Sequence, residues 1–193
     1  MTFLPGSSAG GGVDGFAVAA GYKSWRMHPG NINASVAFTS GNIGFEGLFI
    51  PPGVTITNIV YEIEQAGVGV APTHFFVGLA TPTKMVVQSN DLAGNAGLTQ
   101  TGFKPFPLQN LYVTNTLDSP TGFYYCAVLE VGAFGTTPVK FGSLGNNNFA
   151  GNALGANPSL EGVMGGGGNV ALPANGAAIT PVATALGVWA AVS

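Results

Sequence analysis

The chain of 193 residues carries only five Lys or Arg and eight Asp or Glu, against 31 glycines and a mean hydropathy of +0.38. Its 7% of charged residues lies far below the roughly 25% of an ordinary soluble domain. The few cations are scattered, which argues against a nucleic-acid partner because phosphate binding needs clustered Lys and Arg. So little charge repulsion is typical of a subunit built into a larger assembly.

The N-terminal segment is Gly- and Ser-rich and differs from the rest of the chain. Residues 1–12 end in three glycines, and we expect them to form a flexible arm. We place the arm and the segment that leads into the domain at residues 1–40, and a single domain at residues 41–193. The arm lacks the basic start and apolar core of a signal peptide. No run reaches the roughly 18 apolar residues of a membrane span, so we predict no membrane insertion.

Short apolar segments follow from Gly41 onward, divided by Gly, Pro and Asn turns. The clearest strand is Val54–Glu64, whose alternation slips near Asn58 and so predicts either a bulge or a strand that changes sheet. Phe103–Leu111 holds two prolines, which favours an edge strand or an extended connection. Phe123–Val131 is apolar on both faces apart from Glu130, as a central strand should be. The other predicted strands are Ile43–Ile50, Thr73–Leu79, Lys84–Gln88, Val139–Phe141 and a last core strand within Pro181–Ser193.

This spacing of strands predicts an all-β protein, an antiparallel β-sandwich of jelly-roll-like form behind the N-terminal arm. No segment shows a convincing amphipathic helix. Residues 146–168 are rich in Gly and Asn and predict a long loop. Loops of that length are functional, disordered or packed against a neighbour.

The residues that could carry acid–base or thiol chemistry do not form a motif. His28 and His74 are the two histidines, and neither lies near a cysteine in the sequence. Cys126 is the one cysteine, and its place in the apolar run Phe123–Leu129 predicts a buried thiol. The spacing of His, Cys and carboxylates matches no zinc site. We therefore assign no catalytic, metal-binding or cofactor-binding residue, and expect no cofactor.

Two acidic residues on the predicted strand Val54–Glu64 need a separate assessment. Glu62 and Glu64 lie two positions apart and share one face of the strand. Paired carboxylates can hydrolyse glycosides, but such pairs approach the sugar from opposite sides. We favour a face turned to solvent or to a partner. Asn90–Asn95 lacks the ligand spacing of a calcium loop, and Gly165–Gly168 leads into no helix that could hold a phosphate.

Aromatic side chains offer the remaining candidates for a binding site. Tyr22, Trp25 and Trp189 are candidate contacts for a glycan or for another subunit, because exposed Trp and Tyr rings stack on sugars. Core packing or a contact between subunits is the interpretation we favour for each.

The layout from Ile43 to about Gly145, and again from Leu160 to the end, resembles one known group. These are small all-β virion surface proteins of tailed phages, especially phages of actinobacterial hosts. Such domains occur as capsid decoration or head-fibre proteins and as minor tail or tail-fibre modules. The stretches that carry the resemblance are the aromatic strand with its Pro turn (Phe45–Gly53), Val54–Glu64, Pro72–Ala80, Gly122–Leu129, and the Gly-rich Leu160–Pro173 followed by the closing Trp189–Val192.

Three classes of function remain open. The resemblance implies a non-enzymatic accessory structural protein on a phage particle, made in the host cytoplasm and located in the virion. It implies assembly with copies of itself, as a homo-oligomer that we expect to be a trimer, and with other virion proteins. The second class is a module at a tail tip that binds host carbohydrate, and the third is a glycan hydrolase that uses Glu62 and Glu64. We favour the first class, because the sequence lacks a catalytic constellation.

Overall fold

The computed structural model describes residues 18–26, 29–132, 134–143, 161–164, 168–183 and 187–193. Within these ranges the chain forms twelve strands and two short 3-10 helices, Pro29–Asn31 and Ala96–Thr99. In chain order the strands are β1 (Ser24–Trp25), β2 (Ala34–Val36), β3 (Ile43–Phe49), β4 (Thr55–Gln65), β5 (His74–Ala80), β6 (Met85–Gln88), β7 (Gly102–Val113), β8 (Phe123–Val131), β9 (Lys140–Ser143), β10 (Glu161–Met164), β11 (Val182–Ala183) and β12 (Ala190–Val192).

The strands form two antiparallel sheets, which confirms the predicted all-β sandwich. Sheet A runs in the order β1-β12-β4-β9-β2, and β7 pairs with the opposite side of β4. Sheet B runs in the order β11-β10-β3-β8-β5-β6. Apolar side chains from the inner faces of both sheets form one core between them. The last strand, β12, is wholly buried in that core region, as its apolar sequence predicts.

The predicted bulge lies in β4 at Thr57 and Asn58, whose backbone N–H groups both donate to Ser193 O. The pairing of β4 with β7 is irregular at the same place. The alternation alone placed Ile56 and Ile59 on opposite faces. The extra residue of the bulge resets the alternation, so that Ile56, Ile59 and Tyr61 all point into the same core. A long strand thereby keeps an apolar inner face on both sides of the irregularity.

The central and edge positions are also as predicted. Strand β8 lies between β3 and β5 and is buried along nearly its whole length. Strand β7, with its two prolines, pairs only with β4 among the described strands.

The outer face of sheet B is covered by the chain itself. Leu172 and Ile179 pack on the outward side chains of β3 and β8, such as Phe45 and Tyr125. Residues 176–179 also exchange backbone hydrogen bonds with Thr83 and Met85 beside β6.

Two boundaries differ from the sequence prediction. Strands β1 and β2 fall within residues 1–40 yet belong to sheet A, so the domain begins before residue 41. Residues Glu161–Met164 were predicted to lie in the long loop 146–168, but they form β10 and pair with β3. Residues 146–160 and 165–167 of that loop, and residues 1–17 with the whole predicted arm, lie outside the described ranges.

Candidate interaction surface

The three aromatic residues singled out in the sequence lie together on the outer face of sheet A. Trp25 in β1 is paired with Ala191 in β12, which brings it close to Trp189 just before that strand. The ring of Tyr22 lies 6.0 Å from that of Trp25 and 5.8 Å from that of Trp189, centroid to centroid. Pairing of distant segments in one sheet therefore assembles this aromatic cluster.

The tryptophans of the cluster are buried. Trp189 is fully buried and Trp25 is 9% exposed, and both pack with Val60 and Ala191. Their rings are thus part of a small apolar core on the outside of sheet A. A sugar could reach only the rim of the cluster, where Tyr22 is partly exposed.

Sequence reasoning missed the exposed aromatic residue of this cluster. Phe103 lies at the start of β7, 41% exposed, with its ring 4.9 Å from that of Trp189. The signal was present in the alternation of Phe103, Pro105 and Pro107. The two prolines of Phe103–Leu111 predict an edge strand or an extended connection, and that prediction does not assign the side chains on its outer face.

Glu62 of β4 lies beside the aromatic cluster. Phe103 is its partner across the β4–β7 pair. The Oε2 atom of Glu62 is buried without a hydrogen-bond partner among the described residues. Burial, and then the charge of Glu64, raise the pKa of Glu62 above its usual value. Burial and the charge of Glu62 likewise raise the pKa of Tyr22. A carboxyl in this position keeps its proton to higher pH than a fully hydrated glutamate.

The outer face of β7 continues from this cluster along one side of the sandwich. Six side chains alternate along it, and all are exposed and uncharged. We call this set the β7 stripe; it consists of Phe103, Pro105, Pro107, Gln109, Leu111 and Val113. Beside its far end lie Thr55 and Thr57 of β4, which are also exposed. The stripe presents apolar side chains at both ends and prolines in the middle.

The two prolines of β7 also affect whether its free edge can pair with another strand. Pro105 and Pro107 lie opposite Val60 and Asn58 of β4. Proline is tolerated in a paired strand where its nitrogen points away from the neighbour. The free edge therefore lacks two N–H donors, which blunts it against pairing with another strand. Contacts at β7 are favoured through its face.

A polar cluster holds the loop after β7. The carboxylate of Asp118 accepts hydrogen bonds from Lys84 Nζ at 2.7 Å, Tyr112 OH at 2.7 Å and Asn115 Nδ2 at 2.8 Å. These bonds, led by that from Lys84, lower the pKa of Asp118 to about 2. The cluster fixes loop 114–122.

Next to this loop is an open depression of about 260 Å³, lined by residues 49–52, Thr116 and residues 119–122. Phe49 and Leu117 are exposed at this end of the sandwich.

The histidine and cysteine candidates take no part in this surface. His74 Nδ1 lies 2.6 Å from Asp91 Oδ2, and its ring stacks on Phe76 at an exposed strand start. Cys126 is fully buried, as predicted, and burial raises the pKa of its thiol far above the usual value. His28 lies outside the described residues.

Within the described ranges no group of three His, Cys, Asp or Glu side chains could hold a metal ion. None of the helices described there is long and apolar enough to cross a membrane. A scan of protein-family models and searches of curated proteins and of solved structures found no match to this chain.

Proposed function

We propose that the protein is a non-enzymatic structural subunit, an accessory protein on the surface of a tailed-phage particle. The observation that carries the proposal is the β7 stripe on the outer face of sheet A, an exposed and uncharged row of mostly apolar side chains along the longest of the described edge strands. Contiguous apolar surface of this kind marks contacts with other proteins. The partners are further copies of the chain and other virion proteins, and the protein works by assembly and adhesion.

Two ion pairs that join segments of the fold support a structural role. Arg26 and Glu46 pair in the interior, and Lys84 and Asp118 pair at a loop. Each of these two pairs holds segments of the fold together. The resemblance of the strand sequences to phage surface domains gives the class of assembly.

The experiment is quantitative mass spectrometry of purified particles of the phage that encodes this chain. Hundreds of copies per particle would support a capsid-surface protein, and a handful would support a tail component. Complete absence from washed particles would contradict the structural role. Particles stripped of the protein and then mixed with purified chain should take it up again to the original copy number.

A host carbohydrate-binding role at a tail tip is the second candidate. It is favoured by Tyr22 and Phe103, the two accessible rings of the aromatic cluster, which adjoin the half-buried carboxyl of Glu62. The variant Phe103→Ala should lose binding on an array of host cell-wall glycans, while Val70→Ala, at a distant exposed loop position, should keep it. An array without signal for the wild type would remove this candidate.

A further inference from the structure

The two outer faces of the sandwich are treated differently by the chain. On sheet B, Leu172 and Ile179 cover the outward apolar side chains in the middle of the face, and Phe49 and Val182 are exposed towards its margins. On sheet A, Leu111 is 65% exposed and Val113 is 46% exposed. Burial of apolar surface is favourable by about 25 cal/mol per Å². A partner that covers the exposed stripe would therefore gain binding free energy.

The size of this face is compatible with a small interface. Strand β7 pairs along Thr55–Ile63 of β4, a length of about 30 Å at roughly 3.3 Å per residue, and four adjacent strands are about 15–20 Å wide at about 4.8 Å spacing. The outer face of sheet A therefore measures on the order of 450–600 Å². Two such faces in contact would bury about 1,000 Å² in total, the lower end of the range for specific protein interfaces.

The lack of charge on the β7 stripe limits which partner can bind there. A charged group placed against the β7 stripe would lose its hydration and find no counter-charge. The occupant must therefore present an uncharged sheet-like face of similar length. This chain, with 7% charged residues, carries such a face itself.

The few charges around the face are arranged with opposite signs at its two ends. Glu62 and Glu64 lie at the end of the face that holds Phe103. Lys140, opposite Gln65, offsets one of these two negative charges. Lys23 lies at the other end, beside Val54, and is exposed. Lys23 extends β1, with its backbone N–H bonded to Val192 O, so its side chain falls on the same outer side as that of Trp25.

We propose that the outer face of sheet A is the contact between two copies of this chain, packed face to face about a two-fold axis. The inference rests on the proposed structural role and names the partner for its surface. With the strands of the copies running in opposite directions, Lys23 of each copy meets Glu62 and Glu64 of the other. Such an interface is self-complementary. The prolines of β7 favour this packing of faces over pairing of edges, and a two-fold pair replaces the trimer expected from the sequence.

The first test measures the mass of the purified chain by light scattering at concentrations up to about 100 µM, which populates a dimer whose dissociation constant is micromolar. The wild type should be a dimer. Leu111→Lys puts a charge into the contact and should raise the dissociation constant about 100-fold. Val182→Lys is the matched control, because Val182 is equally exposed on β11 of sheet B, and it should remain dimeric. A monomeric or trimeric wild type, or an unaffected Leu111→Lys, would overturn the proposal.

The second test is a charge exchange. Lys23→Glu and Glu64→Lys should each weaken the dimer about 10-fold at 0.1 M salt. The double variant should return close to wild type, because the exchanged charges meet again between copies. Within one copy the two positions are about 20 Å apart along the strands, beyond the roughly 10 Å screening length at 0.1 M salt. Additive losses in the double variant would contradict the two-fold arrangement.

The two proposals can fail separately. A monomer found at high copy number on particles would overturn the dimer and leave the structural role intact. A dimer that is absent from particles would support the self-contact and contradict the virion role.

Discussion

Arg26 and Glu46 form a buried ion pair that joins the two sheets. Arg26 follows β1 of sheet A and Glu46 lies in the middle of β3 of sheet B, with side chains 7% and 0% exposed. Val188 completes the arrangement, since its carbonyl accepts from Arg26 Nη1 at 3.1 Å and its N–H donates to Glu46 Oε1 at 3.3 Å. The pair therefore links β1, β3 and the approach to β12.

Removing one partner of this pair should be costly. Arg26→Met leaves the carboxylate of Glu46 buried without its cation, and should lower the free energy of unfolding by about 3–5 kcal/mol. The double variant Arg26→Met/Glu46→Leu should recover most of that loss, because no charge is then stranded. Urea unfolding followed by the fluorescence of the buried Trp25 and Trp189 measures both effects.

Lys104→Met, which removes a surface cation, serves as the control and should change stability by less than about 0.5 kcal/mol. A loss below about 1 kcal/mol for Arg26→Met would show that water enters the site.

Glu130 makes stability depend on pH. It is 2% exposed in β8, and its Oε1 atom has no hydrogen-bond partner among the described residues. Burial raises the pKa of Glu130 from 4.5 to about 7. Because the folded state holds the proton more tightly than the unfolded chain, the contribution of this carboxyl to stability is fully present below pH 4.5 and is lost as the pH rises through 7.

The variant Glu130→Gln should remove this decline and exceed the wild type by about 3 kcal/mol at pH 8, given about 1.36 kcal/mol per pKa unit. Unfolding free energies measured from pH 5 to pH 8 test it. Glu64→Gln, which removes an exposed carboxyl, should keep the wild-type slope. Parallel pH profiles for Glu130→Gln and the wild type would mean that the carboxyl is hydrated in the folded protein.

Asp118 acts in the opposite direction, at low pH. Its pKa is lowered to about 2, chiefly by the hydrogen bond from Lys84, so the stability it contributes is present above about pH 4 and is lost as the pH falls through 2. Asp118→Asn should cost about 1–2 kcal/mol at pH 7, because charge-assisted bonds are lost. The difference from the wild type should shrink towards pH 2.

Thr116→Ala, an exposed change in the same loop, should be neutral at every pH. A penalty for Asp118→Asn that stays constant down to pH 2 would assign the effect to packing.

Much of the fold was predictable because burial leaves a period-2 pattern in long strands. Alternation over Val54–Glu64 revealed both the strand and its bulge, and the unbroken apolar run of Phe123–Val131 revealed the central strand. Strands β1 and β10 were not predicted. They have two and four residues, too few for a period, and they form through pairing with distant segments such as Trp25 with Ala191.

The candidate surface was only partly predictable. Sequence reasoning chose Tyr22, Trp25 and Trp189, which the structure brings together, but residue type does not show which ring is covered. The exposure of a ring depends on its neighbours across the sheet, and these neighbours leave Phe103 exposed and bury Trp189. The Arg26–Glu46 pair was missed for a related reason: a charged residue in a strand is usually solvent-facing, and its buried partner lies on the other sheet.

Gly67 packs directly against the ring of Phe134. A Cβ atom at position 67 would overlap that ring, which is buried at the end of the core. Gly67→Ala should therefore lower the free energy of unfolding by about 1–3 kcal/mol through overpacking. Gly94→Ala is the matched control, since a Cβ there meets nothing within 4 Å and should be neutral or stabilise by up to about 1 kcal/mol. The double variant Gly67→Ala/Phe134→Leu should regain part of the loss, because the smaller side chain makes room. If Gly67→Ala and Gly94→Ala unfold at the same urea concentration, the ring of Phe134 is free to move and the contact does not constrain the core.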